Sequence, residues 1–176
     1  MLYEAAPGRA ESMALVEPAT ELCELITSLS REDGVFGHVF PASEGSVPEL
    51  VRAVALEAER AWRQYAVPGA TGPGTVPEIA QAISPTGREQ AVRLMARLAA
   101  EDLARSGLPR RDRAHTRRTA ERVAHLLGQR AVWHTNIGDP SSGMHTWNPV
   151  TCHTFDRVVA GTGKGFIVVL LQVSED

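Results

Sequence analysis

Apolar residues in the first two thirds of the chain recur at three- and four-residue intervals, the period of an amphipathic helix. In the last third they alternate or run together, as in strands. Over 17–30, Leu22, Cys23, Ile26 and Leu29 mark one helical face, which Asp33-Gly34 closes because glycine tolerates the left-handed conformation at a helix end. Residues 1–16 hold no sustained period and read as a flexible arm. Between 34 and 45, Gly34, Gly37, Pro41 and Gly45 punctuate the apolar Val35, Phe36, Val39 and Phe40, so this segment reads as a loop tucked against the core.

A second helix opens at Ser46. Ser46-Val47-Pro48-Glu49 supplies a hydroxyl, a first-turn proline and the carboxylate of a capping box, and Leu50, Val54, Ala58, Ala61, Trp62 and Tyr65 line the face that follows. Thr75-Val76-Pro77-Glu78 repeats the punctuation and starts a short third helix with Ile79, Ala82 and Ile83. The likeness ends after the first turn, so shared cap chemistry explains it without duplication. The glycine- and proline-rich stretch 67–74 between them reads as a mobile loop. Ser84-Pro85 is expected to start a fourth helix carrying Ala91, Leu94, Met95, Leu98, Ala99 and Leu103, stopped by Ser106-Gly107. A fifth spans 111–127, with an arginine-rich first half and a second half whose Ala120, Val123, Ala124 and Leu127 turn inward.

Beyond Gly128 the spacing predicts strands at 131–137, 144–147, 153–160 and 165–173. Phe166 to Val173 is apolar at both parities, which places that strand centrally with both faces covered. The fold class is therefore α+β in a single domain over 1–176: an arm (1–16), a helical part (17–130) of four to five helices, and a β part (131–176) forming a mainly antiparallel sheet of three to four strands.

Composition narrows the class without changing it. A chain of 176 residues, 43% hydrophobic and 22% charged, encloses a core without staples, and aromatics at 5% leave that core to small aliphatics. Cys23 and Cys152 stand in no CxxC spacing and read as reduced thiols. The start lacks the basic and apolar runs of a secretory signal, and the longest apolar run, 166–171, is too short for a bilayer. The expectation is a cytoplasmic protein with no membrane partner. Charge is polarised: 1–60 carries eleven acids against four bases, while 105–130 carries eight arginines against Asp112 and Glu121. The arginine face, with no aromatic interleaved and no DNA-binding motif around it, reads as solvated or paired with the acidic segment, and nucleic acid is disfavoured as a partner.

Candidate chemistry concentrates in three His-Thr dipeptides at His134, His145 and His153, half of the six histidines. Their spacing fits no HxH, HExxH or Cys-His zinc signature, so no metal is assigned and the cofactor is unknown. As acid–base groups, His134, His145 or His153 would be oriented by Asp139 or Asp156. Cys152 and His153 are neighbours on a strand and point to opposite faces, so Cys152 reads as a small buried hydrophobe rather than a nucleophile activated by His153. The loop 136–143 offers Asn136, Ser141 and Ser142 to an anion or polar ligand. Gly161-Thr162-Gly163-Lys164-Gly165 lacks the hydroxyl and following helix of a phosphate loop and reads as a hairpin turn.

Two functions compete. One is a small-molecule-binding protein or enzyme whose pocket is lined by Trp133, His134, Asn136, His145, Trp147 and His153. The other is an interaction or regulatory module, able to form a homodimer, anchored by Trp133, Trp147, Phe155 and the arginine-rich helix.

Overall fold

The computed structural model describes residues 8–105, 108–138 and 147–175, with side chains from residue 17 onward. Elements follow in the order α1 (Gly8–Leu29), β1 (Val35–Pro41), α2 (Val47–Trp62), α3 (Val76–Ala82), β2 (Ser84–Thr86), α4 (Arg88–Ala100), α5 (Arg113–Leu127), β3 (Val132–Thr135), β4 (Phe155–Gly163) and β5 (Phe166–Ser174). The five strands form one antiparallel sheet in the order β1-β5-β4-β3-β2. The α+β class holds, with a sheet larger than expected because it recruits two strands from the helical part.

Helices cover both faces of the sheet. Alternate side chains of β5 divide between two cores: Val168 and Leu170 pack with Leu22, Ile26 and Leu29 of α1, Leu98 of α4 and Val123 of α5. Ile167, Val169, Leu171 and Val173 pack with Val51, Val54 and Ala58 of α2 and Ile79 of α3. Burial on two sides is what a strand without polar alternation requires.

Where the structure departs from the periodicity, a tertiary contact is the reason. The 34–45 segment is not a loop but contains β1, whose Val35 and Val39 join one core and whose Phe36 and Phe40 join the other. Ser84-Pro85 does not start α4; it belongs to β2, an edge strand pairing Ser84, Pro85 and Thr86 with Thr135, His134 and Trp133. An edge tolerates proline because one side of its ladder is free. The helix α1 begins at Gly8, inside the expected arm, and Cys23 lies exposed, off the face that buries Leu22, Ile26 and Leu29. The helix α4 ends at Ala100 instead of reaching Ser106, since Arg110 N donates to Ala100 O at 2.6 Å and Gln172 Nε2 to Glu101 O at 2.6 Å, diverting the chain. Ala61 and Tyr65 are exposed rather than part of the buried face of α2. Of the 144–147 strand only Trp147 lies within the described residues, and its backbone bridges to Ile137.

Local signals held where they were self-contained. Ser46 N and Oγ both donate to Glu49 Oε2, at 2.6 and 2.7 Å, and Thr75 N and Oγ1 to Glu78 Oε2, each at 2.8 Å, so both capping boxes form. The β4–β5 hairpin turns through Lys164 (φ 47°) and Gly165 (φ 83°), two left-handed residues as a type I′ turn requires. One arginine of α5 is met by an acid of α1: Arg122 Nε and Nη2 reach Glu21 at 2.6 and 2.9 Å. The acidic and basic segments thus meet within one chain.

Candidate functional site

The residues expected to share a pocket are distributed by strand alternation. On β3, Trp133 turns toward α1, α4 and α5 and is 1% exposed in that core, facing Gly161 across the ladder. His134 turns the opposite way, opposite Ala160, half-buried, with its Nδ1 enclosed and without a partner among the described residues. Burial lowers its pKa, favouring the neutral ring. Trp147 packs its ring on Phe155 at 5.9 Å. Asp139, Ser141, Ser142 and His145 lie outside the described residues. Since Trp133 belongs to the core, it is removed from any surface, whether pocket or interface.

What the fold does bring together is Asn136 with the 148–156 segment. The Asn136 amide donates to Asn148 O at 2.9 Å and Asp156 Oδ1 at 2.8 Å, while its Oδ1 accepts from Val158 N at 2.9 Å. Asp156 is fully buried and also accepts from Val150 N (3.1 Å), Thr151 N (2.8 Å) and Thr151 Oγ1 (2.8 Å). Such a set of donors satisfies a buried carboxylate and holds the backbone that supplies them. Burial still dominates its titration and pushes the carboxyl up to about 6.

That pinned segment carries Cys152 and His153. The His153 side chain has no exposure; its Nδ1 lies 2.8 Å from Glu175 Oε1, its Nε2 is buried without a partner among the described residues, and its ring meets Trp62 edge-on at 6.3 Å. Burial alone would raise the Glu175 carboxyl, but hydrogen bonds from Thr154 and His153 outweigh it and hold it below the usual range. Cys152 N donates to Glu59 Oε1 at 2.9 Å, fastening the segment to α2.

At this junction lies a surface cavity of about 480 Å³, lined by Glu59 and Arg63 of α2 and its C-terminal extension, the 66–72 loop, and Cys152. Gly72 sits against it so closely that a Cβ there would come within 2.5 Å of Thr151 C and 2.6 Å of Cys152 N, so the loop crosses the Cys152 backbone at a position only glycine fits. The thiol pKa is raised by burial first and by Glu59 second, which keeps sulfur protonated and away from nucleophilic chemistry. A second cavity of about 230 Å³ near the β2–β3 edge, lined by Ser84, Pro85, Thr86, Gln90, Thr135, Ile137 and Gly138, holds no charged group.

Glu59 and Arg63 escaped the sequence reading because nothing in their own helical neighbourhood marks them; the one available signal was the breaker-rich loop that follows. Among the described residues no group of three or more His, Cys, Asp or Glu is placed to hold a metal ion, and no helix is long and apolar enough to cross a membrane. Comparison of the chain with protein-family models, with curated proteins and with solved structures finds no match.

Proposed function

We propose that the protein binds a small polar molecule in the cavity between the C-terminal end of α2, the 66–72 loop and Cys152. The observation that carries the reading is the cavity itself: about 480 Å³, with the opposite charges of Glu59 and Arg63 and the protonated thiol of Cys152 in its lining. Its volume falls within the range usual for small-ligand sites. The floor is rigid, pinned by Asp156 and tied to α2 through Glu59, whereas the 66–72 wall is built of glycine, proline and small residues. A stiff floor facing an adaptable wall suits capture of a ligand with limited loss of order. The exposed Arg63 favours a ligand bearing a carboxylate or phosphate, while Glu59, one turn earlier in the chain, is already engaged by Cys152 N.

A thermal-shift screen over amino acids, organic acids, nucleotides and sugar phosphates tests this. A hit is expected to raise the melting temperature of the native chain, to lose that shift in Arg63→Ala, and to protect Cys152 from iodoacetamide while leaving the exposed Cys23 reactive. A hit whose shift survives Arg63→Ala and leaves Cys152 unprotected would place the ligand elsewhere and overturn the reading.

A further inference from the structure

We infer that the free edge of β1 is a homodimerisation surface, on which a second copy of this chain adds its own β1 antiparallel to form a continuous sheet through both subunits.

The two edges of the sheet are built differently. The edge formed by β2 has three residues and contains Pro85, a short and donor-poor strand of the kind that discourages pairing. The edge formed by β1 has seven residues, Val-Phe-Gly-His-Val-Phe-Pro, with no lysine, arginine or acid in it and a proline only at its last position. Native edges of this length are normally blunted or covered.

The register fixes which backbone groups face outward. Val173 N donates to Gly34 O at 2.9 Å and Ala42 N to Gly165 O at 2.8 Å, so hydrogen-bonded pairs with β5 fall on the even positions 34 and 42 and, by alternation, on 36, 38 and 40 between them. The N–H and C=O groups of Gly37 and Val39 therefore point away from the sheet, and among the described residues no partner meets them.

A two-fold axis through His38 matches these groups to each other. Gly37 then lies opposite Val39 of the partner subunit and Val39 opposite Gly37 of the partner subunit, and each pair exchanges two hydrogen bonds. The same register sets Phe36 against Phe40 of the partner subunit on the face shared with α2, an aromatic cross-strand pair at either end of the contact. It also sets the two copies of His38 opposite each other in a close, non-hydrogen-bonded pair. Each His38 is already held by Glu57, with Nε2 at 2.6 Å from Oε2, so its ring is oriented before a partner strand arrives. One strand is thus complementary to its own copy in backbone pairing and side-chain faces.

Analytical ultracentrifugation of the full chain from low to several hundred micromolar should show a reversible monomer–dimer equilibrium. Val39→Pro removes an outward N–H that β5 does not use, and is expected to weaken the dimer by about tenfold or more while a dilute, monomeric sample of the variant still unfolds cooperatively. As a register test, His38→Cys in a Cys23→Ser background should oxidise to a covalent dimer, while Thr86→Cys at the β2 edge in the same background should not. Sedimentation as a monomer at every concentration, or a dimer that Val39→Pro does not weaken and His38→Cys does not cross-link, would overturn the inference.

Discussion

The side-chain amide of Asn136 donates to Asp156 Oδ1 at 2.8 Å, joining the end of β3 to the start of β4 in a setting that leaves neither residue more than 1% exposed. Through it the backbone of 148–151 is held beneath the Cys152 cavity. Asn136→Ala removes the donor to Asp156 and the acceptor for Val158 N together, leaving buried groups unpaired. A loss of about 3 kcal/mol in urea unfolding is expected. A change below about 0.5 kcal/mol, the scale of an ordinary surface substitution, would contradict the network's role.

The titration of Asp156 has a definite sign. Its folded pKa is about 6, against about 3.9 in the unfolded chain, so the folded state holds a proton that the unfolded state has released. Between about pH 4 and 6 this group therefore removes stability as pH rises, about 3 kcal/mol in all, with no further effect above that window. Glu175 runs the other way: held below its usual range, it adds stability above that range and loses it as pH falls. Subtracting the stability curve of Asp156→Asn from that of the native chain isolates the first effect. A difference that stays flat or climbs from pH 4 to 6 would count against it.

Gly161 and Trp133 are cross-strand partners packed with no room between them. A Cβ at Gly161 would lie 2.3 Å from Trp133 Cζ3, and that ring is in the core. Gly161→Ala should cost about 1–3 kcal/mol by overpacking in the native chain and clearly less when introduced into Trp133→Leu, whose smaller side chain leaves room for the methyl. Strict additivity of the two substitutions in chemical denaturation would show that the contact is not the cause.

The two thiols should react at different rates. Cys23 is exposed on α1, whereas Cys152 is half-buried with its thiol pushed up by burial and by Glu59. Iodoacetamide near neutral pH is expected to modify Cys23 at least about tenfold faster, as followed by peptide mass spectrometry. Glu59→Gln, which removes the neighbouring charge and keeps an acceptor for Cys152 N, should speed modification of Cys152. Equal rates at the two cysteines would rule out the described burial.

What the chain determined by itself was local. Ser46 with Glu49 and Thr75 with Glu78 start helices because both partners of each cap lie within one turn, and the Lys164-Gly165 turn is likewise contained in adjacent residues. The doubly apolar run of β5 announced its own central burial, since no single-faced environment accepts it. Only the tertiary structure decided the rest. Val35 to Pro41 becomes a strand because β5 supplies the partner ladder, and Ser84 to Thr86 because β3 does; neither short segment carries enough pattern alone. Trp133 and His134 part company because adjacent strand residues face opposite layers, and how completely each layer is covered at β3 was set by helices distant in sequence. The candidate cavity is the clearest case: Glu59 and Cys152, separated by 93 positions, meet only after the sheet is assembled. Periodicity encodes which side of an element avoids water, whereas a site depends on which elements then become neighbours.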